Sequence, residues 1–220
     1  MVAQLIHRGD VGYPERLASC LRDDAPSVLH LCGDRRVLRK VRLGLVCSIR
    51  CPGSVIIQTF DAIRDLRNAG VIVAGGFHSP MECECLHFLL RGTQRVVLCP
   101  AVGIGSFALG PEEQRSVDEG RLAVLSIFDE EATKATPELA LRRNEVVAAL
   151  VDVLFVPHAV AGGKAEAVAR RSLARGQVVL TLDDEENRGL IALGATPVGV
   201  RELLRVAGEV GVPTPSSGTR

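Results

Sequence analysis

Short β-branched and leucine-rich runs alternate along this chain with longer segments whose apolar residues fall near helical spacing. The runs 28–31, 43–48, 71–74, 95–99, 122–126, 151–156 and 178–182 are mostly apolar throughout, so they read as strands covered on both faces. Between them, 54–68, 80–90, 111–119, 137–150, 166–174 and 187–193 read as helices. In the first of these, Ile56, Phe60 and Ile63 share a face. Pro80, Pro111 and Pro137 sit at first turns and Gly70 follows the first helix, which is the expected start-and-stop punctuation. Strands alternating with helices predict an α/β fold whose mostly parallel sheet has its carboxyl-edge turns gathered on one side.

Segment 101–110 holds three glycines and no charge, too glycine-rich for a helix and too long for a tight turn, so it reads as a loop at the sheet's edge. Segment 200–210 predicts one more surface helix, and 211–220, rich in Pro, Ser and Gly, predicts a disordered tail. With no internal repeat and no strong linker, the expected organisation is a lead-in over 1–41 packed on a core domain over 42–199, then the helix and tail over 200–220.

Composition narrows the function classes. The chain has 220 residues, enough for one large α/β domain, and its 26 basic and 26 acidic side chains cancel. No global field draws it to nucleic acid or anionic membrane, so any polyanion binding must be local. Seven cysteines, mostly inside apolar runs, read as reduced core residues rather than a disulfide framework. No apolar run approaches the roughly 20 residues of a membrane span, and 1–10 lacks a signal peptide's apolar region. The expectation is a soluble, cytoplasmic protein without membrane contact.

Against that neutral background, four short segments carry candidate chemistry. Gly162-Gly163-Lys164, between a buried strand and a helix, offers N–H groups to an anion, as phosphate-binding turns do. Lys164 at a helix start opposes the helix dipole by a few tenths of a kcal/mol, a conflict that a bound anion removes. Ser48-Ile49-Arg50 after the 43–48 strand supplies a hydroxyl and a guanidinium for a phosphate clamp, or is a plain βα turn with a surface arginine. Gly75-Gly76-Phe77-His78-Ser79 would let a phosphate or ribose approach closely, with His78 as donor. Ser79 reads first as a cap for the helix beginning at Pro80. Glu82 is either a first-turn charge or an acid/base. In Arg142-Arg143-Asn144, mid-helix, neighbours point in different directions, so one or two at most face a cleft; the plain alternative is a solvated face.

Other chemistries lose support. Cys83, Cys85 and His87 have metal-ligand identities, but residues two apart on a helix diverge, so no metal is expected. Cys47 and Cys51 match neither a zinc knuckle nor a redox pair in spacing and read as packing residues. No Gly-x-Ser-x-Gly elbow, Walker motif or Gly-x-Gly-x-x-Gly fingerprint is present, and no cofactor is expected.

These segments fall in the order of a known family. Tyr13-Pro14 with Leu17, then Pro26-Ser27-Val28-Leu29-His30-Leu31-Cys32-Gly33-Asp34, resembles the lead-in of the DNA-processing protein A (DprA) family. There the lead-in runs into a strand ending Gly-Ser-Arg; here the strand ends Cys47-Ser48-Ile49-Arg50. Arg143-Asn144-Glu145-Val146-Val147-Ala148-Ala149-Leu150 is similar to the family's Arg-Asn segment, and Gly176-Gln177-Val178-Val179-Leu180, Asn187, Leu190-Ile191 and Gly194-Ala195 to its closing segment. The resemblance covers about 12–197. It implies an extended Rossmann-like three-layer fold, single-stranded DNA or a nucleotide as ligand, a role in recombination and DNA uptake with a RecA-type recombinase, and a homodimer. It also implies a binding cleft made of Ser48, Arg50, Gly75, Gly76, His78, Ser79, Arg143, Asn144, Gly162, Gly163 and Lys164.

Two motifs depart from the pattern. His78-Ser79-Pro80-Met81 stands where the family has Arg-Gly-Ile-Asp, and Gly162-Gly163-Lys164 replaces Ser-Gly-Ser. The related lysine-decarboxylase-like phosphoribohydrolases suggest an alternative, cleavage of a nucleotide's N-glycosidic bond with Glu82 or Glu166 as acid/base. Their final turn carries Gly-Thr ahead of the glutamate, which this chain lacks, so binding is the favoured expectation. A nucleotide-sensing scaffold is a third.

Overall fold

The computed structural model describes residues 3–209. The expected disorder over 211–220 lies outside them. Nine strands form one sheet: β1 (Gln4–His7), β2 (Val28–Cys32), β3 (Leu43–Leu45), β4 (Val73–Gly75), β5 (Val96–Leu98), β6 (Leu122–Ser126), β7 (Val153–Phe155), β8 (Val178–Leu182) and β9 (Thr196–Val198). The helices are α1 (Glu15–Leu21), α2 (Gly53–Asn68), α3 (Pro80–Leu90), α4 (Pro111–Asp118), α5 (Pro137–Leu150), α6 (Lys164–Ala174), α7 (Arg188–Ala192) and α8 (Val200–Glu209).

Two cores sandwich the sheet. On one face Leu17 and Leu21 of α1, Val146, Val147 and Leu150 of α5 and Val168 of α6 pack against alternate strand residues such as Val97 and Leu154. On the other, Val55, Ile63 and Leu66 of α2, Cys85 and Leu89 of α3 and Leu203 of α8 cover Leu43, Leu45, Val73 and Phe155. Every side chain of β3 to β7 is buried, the consequence of helices on both faces. The result is the α/β three-layer arrangement.

The strand order is β1-β2-β6-β5-β4-β3-β7-β8-β9, antiparallel only at β1-β2 and β2-β6. From β3 the chain steps outward to β4, β5 and β6, then returns through α5 to β7 on the other side of β3. This reversal opens a crevice at the carboxyl ends of β3 and β7, where open α/β sheets bind ligands.

Several expectations need correction. The runs 122–126 and 178–182 coincide with β6 and β8, but the two strands at the crevice are shorter than their runs, β3 ending at Leu45 rather than Ser48 and β7 at Phe155 rather than Val156, because the loops beyond form the crevice while staying buried. The sequence reading had no strand at 4–7 or 196–198 and no helix at 15–21. These edge strands are too short to show a period, and they gain order by pairing with β2 and β8. Segment 101–110 contains a single 3-10 turn, Ile104–Ser106.

Candidate functional site

A cavity of about 420 Å³ opens at the switch point, lined by the loops after β3, β4 and β7 and by the first turns of α3, α5 and α6. Its volume is in the range of small-molecule and cofactor sites. The walls are cross-linked before any ligand arrives. Ser48 Oγ accepts from Val160 N–H at 2.9 Å and Ser48 N–H donates to the His158 carbonyl at 3.1 Å, fastening the β3 loop to the β7 loop. His158 Nδ1 in turn lies 3.0 Å from Asn187 Oδ1, and Asn187 Nδ2 donates to the carbonyls of Pro157 and Leu182.

The β4 turn is built on a strained residue. Phe77 has φ 44°, the left-handed region that side chains avoid, and its ring lies over Gly75, where a Cβ would sit 3.0 Å from Cζ. Burying Phe77 directs His78 outward to the cavity wall. Ser79 caps α3, its Oγ accepting from Glu82 N–H at 3.2 Å. The glutamate closes a capping box and reaches further. Glu82 Oε2 accepts from the N–H groups of His78 and Ser79 at 3.1 and 3.2 Å, and Oε1 accepts from Cys47 N–H at 2.9 Å. One carboxylate thus joins the β3 and β4 loops.

Arg143 projects from α5 into the base of the cavity and is 4% exposed, so the solvated-face alternative fails. Its Nη1 donates to the Cys99 carbonyl at 2.8 Å and its Nε to Asn144 Oδ1 at 2.6 Å. Burial pulls the guanidinium's pKa below its ordinary value, and the nearby Glu82 carboxylate opposes that shift. Arg142 points elsewhere, to the Asp24 carbonyl and Glu145. Thr136 caps α5, its hydroxyl accepting from Leu139 N–H at 3.3 Å, and with Pro137 it lines the cavity.

On the opposite wall, Gly163 is the N-cap of α6 and has no side chain to satisfy the helix's first N–H groups. Lys164 is the first helical residue and lines the cavity beside it. The Glu138 carboxyl is held below its ordinary pKa by its own backbone N–H, by Thr136 and by Lys164, which puts the lysine within electrostatic reach of the first turn of α5. Glu166 accepts from Gly162 N–H at 3.2 Å and pairs with Arg170 at 2.7 Å, an interaction that keeps its carboxyl below its ordinary pKa.

The structure therefore brings Ser48, Arg50, His78, Ser79, Glu82, Arg143, Asn144, Gly163 and Lys164 to one cavity. Gly75, Gly76, Gly162 and Glu166 do not line it. The two glycines of the β4 turn, expected to admit a phosphate, instead admit protein: Gly75 the Phe77 ring and Gly76 the Arg143 guanidinium, with which a Cβ would collide. Gly162 has φ 73° with open space around it and serves the turn. Sequence reasoning missed the apolar mouth, where Ile49 is 67% and Val160 45% exposed. It also missed Thr136, although a threonine before Pro137 is a readable cap signal.

Cys83 and Cys85 point apart, to the Phe77 carbonyl and the Met81 sulfur, and no group of three or more metal-ligating side chains occurs among the described residues. Nor, among them, is any helix long and apolar enough to cross a membrane.

A family model described as DNA recombination-mediator protein A matches residues 4–200. Among solved structures, the chain is similar to DNA processing protein A from Streptococcus pneumoniae, with TM-score 0.78 and 18% identity over 93% of this chain and 74% of that one. It is also similar to DNA processing protein A from Helicobacter pylori, with TM-score 0.77 and 16% identity over 94% and 96% of the two chains. That structure is described as giving insight into a single-stranded DNA binding mode. A molybdenum cofactor binding protein from Rippkaea orientalis shares the fold more distantly, with TM-score 0.54 and 10% identity over 79% and 99%. No curated protein sequence matches.

Proposed function

The chain belongs to the DNA recombination-mediator protein A family, and from that premise we propose that the carboxyl-edge cavity binds the sugar-phosphate backbone of single-stranded DNA in DNA processing. The observation that carries this reading is the gathering of Arg50, Arg143, Lys164 and the uncapped start of α6 around one cavity in a chain of zero net charge. Oriented N–H groups and a buried guanidinium favour an anion there without help from the rest of the surface. The single-stranded DNA mode described for the Helicobacter pylori protein supports the same ligand.

In this reading Lys164 and Arg50 contact phosphate, His78, Ser48 and Asn144 orient the sugar, and the exposed Ile49 and Val160 meet the base. Glu82 and Glu166 are positioning residues rather than acid/base groups. Glu82 already accepts three backbone N–H groups, and Glu166 is held by Gly162 and Arg170. The finer expectations follow from family membership and belong to the same proposal: recombination and DNA uptake, a RecA-type recombinase as partner, a homodimer, and the cytoplasm.

The test is fluorescence anisotropy of a labelled oligonucleotide over a salt series. Wild type loses affinity steeply as salt rises, while Lys164→Ala binds more weakly at low salt and with a slope shallower by about one counterion. No binding at low salt would overturn the proposal.

A further inference from the structure

The cavity has a floor and a rim of different character. Cys47, Glu82, Ala101, Arg143 and Ala165 line it and are buried, whereas Ile49, Arg50, His78, Val160 and Lys164 line it and are exposed. Buried side chains thus close the inner end, and a ligand that reaches them enters and leaves by the rim. Arg143 stands in that floor with one donor uncommitted. Its Nε and Nη1 are taken by Asn144 Oδ1 and the Cys99 carbonyl, and with Cζ they are the atoms nearest to a Cβ at position 76. Nη2 lies farther from Gly76 and has no hydrogen-bond partner among the described residues. Three helices begin at the cavity. Ser79 and Thr136 cap α3 and α5 with their own hydroxyls, but Gly163 leaves the first N–H groups of α6 without a side-chain acceptor. The charged lining side chains are Arg50, Arg143 and Lys164 against Glu82, three cations and one carboxylate, a balance of plus two.

A phosphodiester inside a strand carries one negative charge and a sugar on each side, so to reach the floor it must bring two arms of chain through the rim. A terminal phosphate monoester carries about two charges at neutral pH and has one arm. It matches both the charge balance and the closed inner end. We infer that the floor of the cavity takes a terminal phosphate monoester, held by Arg143 Nη2 and the open start of α6, so that the protein engages a strand at a phosphorylated end rather than along its length. The strand in this inference rests on the single-stranded DNA reading above; the phosphate does not, since a free nucleoside monophosphate would bring the same group. A guanidinium edge and oriented N–H groups are the donors that suit a phosphate's several acceptor oxygens. The rim is uneven, with apolar Ile49 and Val160 beside polar Ser48 and His78. The chain leaving the phosphate therefore has one favoured polarity, and one of the two ends, 5′ or 3′, is taken.

The experiment compares, by competition anisotropy at one salt concentration, strands of a single sequence carrying a 5′-phosphate, a 3′-phosphate or hydroxyls at both ends, together with a circular strand of the same length. One phosphorylated form is expected to bind about tenfold more tightly than the hydroxyl-ended and circular strands, the worth of a charge-assisted hydrogen bond. In Arg143→Lys, which keeps a cation but loses the guanidinium fork, that ratio shrinks toward equality. Lys164→Ala, at an exposed position, narrows it as well and serves if the buried variant fails to fold. Equal affinity for every strand overturns the inference. So does a small gain shared by both ends, which an added charge anywhere on the strand would give. Thermal melting with deoxynucleoside 5′- and 3′-monophosphates, against the unphosphorylated nucleoside, separates the site from the strand. If no strand binds but a monophosphate raises the melting temperature and the nucleoside does not, the proposed function fails and the phosphate site stands. If neither strand nor monophosphate has an effect, both fail.

Discussion

Gly76 and Arg143 are fitted to each other: the guanidinium of Arg143 occupies the space that a side chain at position 76 would need. The arginine arrives from α5, the glycine from the turn after β4, and the contact is held by the bond from Arg143 to the Cys99 carbonyl. The absence of one Cβ thereby sets the position of the charged group at the base of the cavity.

Gly76→Ala is expected to displace Arg143 and strand the buried Cys99 carbonyl. The cost should be about 1–3 kcal/mol in urea unfolding, with a loss of oligonucleotide affinity. Arg143→Ala combined with Gly76→Ala should unfold no more easily than Arg143→Ala alone, because the collision disappears with the side chain. Additive losses in the double variant would show that position 76 matters for another reason.

Glu82→Gln probes the carboxylate joining two loops. A glutamine has one acceptor oxygen where Glu82 uses two for three N–H groups, and its NH₂ would face a donor. The expected loss is about 2 kcal/mol of stability, with faster hydrogen exchange at Cys47 and His78. Unchanged stability and exchange would return Glu82 to the list of reactive candidates.

Asp34 predicts a pH dependence. Hydrogen bonds from the Arg36 side chain and backbone, aided by the charges of Arg36 and Arg95, lower its pKa from 3.8 to about 2. The folded-state value lies below the unfolded one, so the stabilisation is fully present above about pH 4 and fades as pH falls toward 2. Melting curves of wild type and Asp34→Asn should differ near neutrality and converge through that window. A gap that stays constant down to pH 3 would assign the effect to the hydrogen-bond geometry rather than to ionisation.

Much of the scaffold could be read directly. Continuously apolar runs announced β3 to β8 because a strand covered on both faces has no polar side to alternate with. Pro80, Pro111 and Pro137 marked helix starts through their missing N–H groups. Arg143-Asn144 and Gly163-Lys164 pointed to the cavity by chemistry and position. What escaped were the edge strands β1 and β9, too short for any period, and the use made of Gly75 and Gly76.

The sequence by itself determined local matters: which segments are buried, where helices begin, and which residue types can meet an anion. Only the tertiary structure decided which of those residues share a space. The pairing of β3 with both β4 and β7 creates the switch point, and it involves residues more than a hundred positions apart. No local pattern encodes the reach of Glu82 to Cys47 or the fit of Arg143 over Gly76. Each depends on how separate loops leave the sheet together, and that is fixed by packing across the whole domain rather than by the neighbours of any one residue.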